Sequence, residues 1–150
     1  MNEEVCILLA EDDMGHAALI RKNVIRAGIS NKIFHFKDGQ QLLDFLFREE
    51  NAPHRKSEIS YLILLDIRMP KVDGIETLKQ IKSHQEFKKI PIIMLTTTDD
   101  PREVEICHKH GCSNYITKPV DYERFVDVIK TLGFYLMIVK VPGIKGGIEE

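Results

Sequence analysis

Carboxylates, hydroxyls and one ammonium recur in this chain at the points where apolar runs end. Four polar groups each directly follow such a run: Glu11-Asp12-Asp13, Asp66, Thr96-Thr97-Thr98 and Thr117-Lys118-Pro119. Three carboxylates crowded together repel one another unless a cation is present, and a set of oxygen ligands suits Mg²⁺. A hydroxyl and an ammonium beside such an ion form a cradle for a phosphoryl group. The residue types therefore indicate magnesium-dependent phosphoryl transfer, with Asp66 as the nucleophile.

Alternating strand and helix patterns must position these groups. The run Val5 to Ala10 is continuously apolar, which is typical of a strand buried on both faces, and apolar residues at helical spacing follow it. Five predicted strands alternate with five predicted helices along the chain. This alternation predicts a flavodoxin-like α/β fold, a doubly wound five-stranded parallel sheet in the order 2-1-3-4-5. Ligands bind beyond the carboxyl ends of such strands, so we expect the four groups at one sheet edge.

Composition excludes several classes of function. The chain has 150 residues and a net charge of −2 with no long basic run, which argues against a nucleic-acid partner. Its longest apolar stretch, Phe134 to Val139, is far shorter than the ~20 residues of a membrane span. No signal peptide is recognised, so a cytoplasmic protein is expected. The segment Cys107 to Cys112 fits no standard zinc spacing and is interpreted as a helix end capped by Gly111.

The same motifs, taken in order, resemble the signature set of response-regulator receiver domains in two-component systems. The resemblance spans residues about 4 to 130 and rests on four motifs: Leu9-Ala10-Glu11-Asp12-Asp13, Leu65-Asp66-Ile67-Arg68-Met69-Pro70, Leu95-Thr96 and Thr117-Lys118-Pro119. It implies that Asp66 accepts a phosphoryl group from the phosphohistidine of a histidine kinase. It also implies a regulator that is not an enzyme, apart from catalysing its own phosphorylation and dephosphorylation.

The resemblance further implies a role for each metal-site residue. Asp13 and Asp66 would bind Mg²⁺ directly, together with the backbone carbonyl of Arg68, and Asp12 would bind it through a water molecule. Glu11, beside this acidic pair, is interpreted as a bystander charge. The sequence Asp73-Gly74 is interpreted as the turn into the third helix.

The phosphoryl group would be held and sensed by residues of the last two strands. Thr96 and Lys118 would contact its oxygens, and Tyr115 would rotate as Thr96 moves toward it. The Lys118–Pro119 bond is expected to be cis, as is typical of the family.

Three residues are expected to tune the reaction. Arg68 and Thr98 occupy the positions that set the rate of self-dephosphorylation. Neither residue positions water well, so a long-lived phosphorylated form is expected. Thr97 is expected to crowd the approach to the phosphoryl group.

Residues 1–132 are expected to form the receiver domain and residues 133–150 a C-terminal extension without a separate output domain. Output would then occur through protein contacts. The loop at Arg48–Ser60, the segment Leu95–Thr98 and the tail resemble the stand-alone regulators paired with bacterial phytochrome histidine kinases. That narrower resemblance implies a red/far-red photoreceptor as partner and a homodimer formed through helix four, strand five and helix five. The apolar tail could either join that dimer or pack on its own domain.

Two alternative functions remain open. The chain could be a phosphate-shuttling intermediate in a multistep phosphorelay. A haloacid-dehalogenase-like phosphohydrolase also uses a strand-end Asp and Mg²⁺, but it needs a second Asp where this chain has Arg68. A flavodoxin-like electron carrier fits less well, because its phosphate loop is neutral where this chain has Glu11-Asp12-Asp13.

Overall fold

Short apolar runs form the five parallel strands of one sheet. The computed structural model describes residues 5–26, 31–47, 60–97, 100–118, 123–128 and 130–131. The strands run in the order β2-β1-β3-β4-β5, which confirms the predicted doubly wound topology. Their bounds are β1 (Val5–Ala10), β2 (Ile33–Phe36), β3 (Ser60–Asp66), β4 (Ile92–Thr96) and β5 (Asn114–Thr117).

Helices connect the strands and begin at recognisable caps. Asp73 caps α3 by accepting a hydrogen bond from the backbone N–H of Glu76, as the Asp73-Gly74 pair predicts. Asp100 caps α4, and Pro101 follows at its first position. The helices are α1 (Met14–Arg26), α2 (Gly39–Phe47), α3 (Gly74–Lys82), α4 (Pro101–Lys109) and α5, whose described residues are 123–128 and 130–131.

The end of α4 accounts for the cysteine-rich segment. Gly111 has a φ of 99°, a left-handed conformation that glycine adopts at low cost. Cys107 and Cys112 are buried, free thiols. Burial is the largest cause that raises the pKa of each thiol to about 11. Within the described ranges, neither cysteine belongs to a group that could hold a metal ion. The structure therefore agrees with a capped helix end.

The sheet separates two apolar cores, so its strands are covered on both faces. Alternate residues of β1 point to opposite faces: Leu8 joins the core with α2, α3 and α4, and Ile7 joins the core with α1 and α5. Side chains buried in this way stabilise the fold by about 1.5–3 kcal/mol each. The strand ends are consequently held in place by packing on both sides. No helix among the described residues has the length and apolarity needed to cross a membrane.

Parallel register brings the predicted reactive residues to one edge. Asp66 pairs with Leu95 in the β3–β4 ladder, and Thr96 pairs with Thr117 in the β4–β5 ladder. Ala10, the last residue of β1, pairs with Leu65. Asp66 and Thr96, which end β3 and β4, therefore lie at the same edge of the sheet as the residues that follow β1 and β5. This agrees with the expectation of a single edge.

Several predictions concern residues outside the described ranges. These are the Lys118–Pro119 cis bond, the contribution of Thr98, the loop at 48–59 and the tail from residue 132. They stay predictions.

Candidate functional site at the carboxyl edge of the sheet

Asp66 ends the central strand β3 and is nearly buried, with 4% of its surface exposed. The Nζ atom of Lys118 lies 3.2 Å from its Oδ1 atom. Burial raises the pKa of Asp66, and the nearby charge of Glu11 raises it further. Lys118 opposes both effects, and the net result is a pKa of about 6 instead of 3.8. Lys118 therefore offsets only part of the cost of a negative charge on Asp66, and a further positive charge would stabilise the ionised carboxylate.

Lys118 follows β5 and reaches across the sheet edge to two carboxylates. Its Nζ lies 2.6 Å from Oε1 of Glu11, in addition to its contact with Asp66, and only 6% of its side chain is exposed. Its backbone N–H donates a hydrogen bond to the carbonyl oxygen of Thr96. Burial by itself would lower the pKa of Lys118, but the bond to Glu11 and the charge of Asp66 outweigh burial and raise it. The ammonium is therefore held in its charged form.

Glu11 is an integral part of the site, contrary to its interpretation as a bystander. It is fully buried, and its Oε1 forms the ion pair with Lys118. Its Oε2 accepts a hydrogen bond of 3.1 Å from the backbone N–H of Asp13. The carbonyl oxygen of Glu11 lies 2.7 Å from Nε2 of His35 on β2. The sequence signal for this role is the position of Glu11 directly after β1. The first residue after a strand still lies at the edge of the sheet.

The acidic pair beside Asp66 lies one residue earlier than the sequence predicted. Carboxylate oxygens of Glu11, Asp12 and Asp66 lie within 4.8 Å of one another and could hold a metal ion. Asp13 does not belong to this group. Its Oδ1 accepts a hydrogen bond of 2.9 Å from the backbone N–H of His16, so Asp13 caps α1. This hydrogen bond is the main cause of the lowered pKa of Asp13. Among the described residues, the carboxylate of Asp12, and not that of Asp13, therefore lies in one group with that of Asp66.

A second carboxylate that the sequence did not indicate touches the site from α4. Oγ1 of Thr96, a residue only 1% exposed, donates a hydrogen bond of 3.3 Å to Oε1 of Glu103. The guanidinium of Arg68 donates one of 3.3 Å to Oε2 of the same carboxylate. Glu103 lies in the first turn of α4, so its approach depends on how that helix packs, and no local motif indicates it.

Two more predicted residues are described by the structure, Tyr115 on β5 and Thr97 directly after β4. Tyr115 is half-buried, and its ring meets that of His108 edge-to-face with centroids 5.7 Å apart. The guanidinium of Arg124 donates to the Tyr115 carbonyl oxygen. Thr97 is exposed directly after Thr96. Tyr115 therefore contacts residues of α4 and α5, and its role as a switch stays a prediction.

A cavity of about 430 Å³ opens beside this edge and is lined by Asp12, Arg68, Glu103 and the turn after β3. A second cavity, of about 580 Å³, is lined mainly by lysines, among them Lys82 and Lys109. These two residues occupy the last turns of α3 and α4, where positive charge offsets the helix dipole. Of these two cavities, the first is lined by a member of the acidic group, Asp12.

Comparisons with known proteins agree with this geometry. The model of the response regulator receiver domain family matches residues 7–130. A response regulator receiver domain from Rhodospirillum rubrum is 42% identical, with a TM-score of 0.74, over 91% of this chain and 96% of that one. The bacteriophytochrome response regulator RtBRR is 37% identical, with a TM-score of 0.75, over 85% of this chain and 77% of that one.

Two further relatives extend the similarity. The Mn(2+)-bound form of response regulator Rcp1, a Synechocystis protein, is 28% identical, with a TM-score of 0.71, over 91% of this chain and 98% of that one. The probable methanogenesis regulatory protein FilR2 of Methanothrix harundinacea is 35% identical over 127 residues, which are 83% of this chain and 80% of that protein.

Proposed function

Because the chain belongs to the response regulator receiver domain family, we propose that it is a signalling switch that a histidine kinase phosphorylates on Asp66 in a Mg²⁺-dependent reaction. One observation carries this proposal: Asp66, nearly buried at the carboxyl edge, lies beside both the Lys118 ammonium and the carboxylates of Glu11 and Asp12. A nucleophile, a fixed cation and oxygen ligands for a second cation are thus present together.

The residues present fit a divalent cation. Asp12 and Asp66 would hold it, since Glu11 is engaged by Lys118. The backbone carbonyl of Arg68, in the turn directly after β3, would be a third ligand. The raised pKa of Asp66 supports this assignment, because burial and the charge of Glu11 leave a carboxylate that a cation would stabilise. When bound, Mg²⁺ would neutralise charge on Asp66 and on the incoming phosphoryl group.

The chain's own residues would hold the reacting groups in place. A carboxylate oxygen of Asp66 forms the new bond to phosphorus as the bond from phosphorus to the kinase histidine breaks, and the electron pair of that bond returns to the imidazole. The Lys118 ammonium and the Thr96 hydroxyl would bind the phosphoryl oxygens through hydrogen bonds. Lys118 already lies 3.2 Å from Asp66, so little rearrangement of its side chain is needed.

We further propose a bacterial phytochrome as the kinase. The solved structure of RtBRR, at 37% identity, is that of a bacteriophytochrome response regulator, which supports a red-light signalling role by similarity.

Output would occur through protein contacts of a receiver domain over residues 1–132, including a homodimer formed by α4, β5, α5 and the extension 133–150. Sedimentation of the full chain and of a chain ending at Leu132 tests this dimer: a monomeric full chain, or a truncated chain that dimerises equally well, would contradict it.

Labelling with acetyl phosphate and Mg²⁺ tests the phosphoacceptor. We expect one acid-labile phosphoryl group per chain, detected by intact mass, and none in Asp66→Asn. Asp73→Asn is the matched control, because Asp73 is an exposed carboxylate that lines the cavity beside Asp12. Equal labelling of the Asp66→Asn variant would disprove the assignment.

Phosphotransfer profiling against each histidine kinase of the source organism, with any phytochrome assayed in red and far-red light, tests the partner.

A further inference from the structure

Glu103 connects helix α4 to two residues of the candidate site. Its Oε1 accepts from the hydroxyl of Thr96, and its Oε2 accepts from the guanidinium of Arg68, both at 3.3 Å. The Glu103 side chain is only 18% exposed, and Thr96 is buried. This carboxylate therefore lies largely shielded from solvent against the phosphoryl-binding side of the site.

The Thr96 hydroxyl has a single proton to donate, so it cannot donate to Glu103 and to a phosphoryl oxygen at the same time. In the structure that proton is directed at Glu103. A phosphoryl group on Asp66 would compete for it, with more negative charge than a carboxylate carries. Binding of Thr96 to the phosphoryl group and binding of Thr96 to Glu103 are therefore mutually exclusive.

Arg68 adds a second competition at the same carboxylate. Arg68 is in the turn that follows β3, and its side chain is 67% exposed, so solvent leaves room for a change of rotamer. A guanidinium binds phosphoryl oxygens well, and its exposed pairing with Glu103 is weak. A phosphoryl group on Asp66 would thus attract both donors that Glu103 now holds and would repel the Glu103 carboxylate.

We propose that Glu103 is a positioning residue that holds Thr96 and Arg68 in the unphosphorylated state, and that phosphorylation releases it and with it the first turn of α4. The proposal rests on Asp66 being the phosphoacceptor. The element that phosphorylation would free is α4, whose Glu103 contacts Thr96 and Arg68. The exposed side of that helix carries Ile106, one of the exposed large apolar residues of the described chain, which a partner could contact.

Binding of beryllofluoride, an analogue of the phosphoryl group, in the presence of Mg²⁺ tests the proposal. Glu103→Ala removes the competitor for Thr96, so the apparent affinity should rise by about 2- to 10-fold, the net contribution of one hydrogen bond. Glu103→Gln keeps an acceptor oxygen, so its affinity should fall between those of wild type and Glu103→Ala. Glu105→Ala is the matched control: it removes an equal charge from the exposed side of α4 and should bind as wild type does.

A double-mutant cycle separates the hydrogen bond from a simple charge effect. If Glu103 acts through Thr96, the gain from Glu103→Ala should largely disappear in a Thr96→Val background. Hydrogen exchange gives a second readout: the change that beryllofluoride produces at the first turn of α4 should be smaller in Glu103→Ala, because that turn is already released.

Three outcomes would overturn the proposal. An affinity of Glu103→Ala equal to or below that of wild type would show that Glu103 does not compete for Thr96. A gain that persists in full in the Thr96→Val background would show an effect of charge alone. If wild-type protein binds no beryllofluoride, the proposed function is wrong and this proposal is wrong with it. The wild-type measurement alone distinguishes that case from a failure that concerns only Glu103.

Discussion

Lys118 and Glu11 lie 107 positions apart in the sequence, yet the Lys118 Nζ is 2.6 Å from the Glu11 Oε1. Both side chains are almost entirely buried, and the same ammonium lies 3.2 Å from Oδ1 of Asp66. The ion pair joins the ends of β1 and β5 across β3 and β4. It therefore places a fixed positive charge beside the proposed phosphoacceptor before any phosphoryl group arrives.

Glu11→Ala should destabilise the protein strongly, because it removes the closer partner of a buried ammonium. Breaking a buried ion pair costs about 3–5 kcal/mol, and the remaining contact with Asp66 should keep the loss near the lower end, at about 3 kcal/mol. Urea unfolding at pH 7 measures the change. Glu105→Ala, on the exposed side of α4, should change the free energy of unfolding by less than about 0.5 kcal/mol. A similarly small loss in Glu11→Ala would contradict the structural role of Glu11.

The raised pKa of Asp66 predicts a pH-dependent stability of the metal-free protein. A folded-state pKa of about 6 against 3.8 means that Asp66 stabilises the fold when protonated, and that this contribution is lost as the pH rises through about 6. Asp66→Asn should therefore be more stable than wild type above pH 6, by about 1–3 kcal/mol, and nearly equal to it below pH 4. Urea unfolding in EDTA across this range measures the difference. A constant difference at all pH values would show that ionisation of Asp66 is not its cause.

Metal binding should distinguish Asp12 from Asp13. Asp12→Ala removes a carboxylate from the acidic group and should weaken Mg²⁺ binding more than Asp13→Ala, whose carboxylate caps α1. Asp13→Ala should instead lower the free energy of unfolding, because it removes the side chain that caps α1. Calorimetric titration with Mg²⁺ and urea unfolding provide the two measurements. A larger loss of affinity in Asp13→Ala would restore the assignment made from sequence.

Gly74 should tolerate no side chain, because it packs against the backbone of Asp66. A Cβ atom there would lie 2.2 Å from the Asp66 carbonyl oxygen and 2.6 Å from the Ile67 Cα. Gly74→Ala must therefore displace the nucleophile's own backbone. We expect a loss of stability of about 1–3 kcal/mol together with slower labelling by acetyl phosphate. Gly15→Ala is a suitable control, since the added Cβ would meet only the Asp13 side chain, at 3.2 Å. Unchanged labelling of Gly74→Ala would argue against a fixed Asp66 backbone.

Much of the fold followed from residue order because its signals are local. A continuous apolar run such as Tyr61–Leu65 predicts a strand covered on both faces, and Asp73-Gly74 predicts a helix start, without reference to distant residues. The order 2-1-3-4-5 follows from the alternation of strands and helices together with the handedness of crossovers. Asp66, Thr96 and Lys118 could be assigned to one edge for the same reason, since each lies at the end of an apolar run.

Tertiary packing alone decided which polar residues near those strand ends meet. Glu11, Asp12 and Asp13 are chemically alike and adjacent, and a shift of one residue decides whether a carboxylate faces the sheet edge or caps α1. Glu103 reaches Thr96 only because α4 packs with its first turn over the end of β4. Such contacts depend on the orientation of a helix relative to the sheet. That orientation is set by packing between many distant side chains, and no short stretch of sequence encodes it.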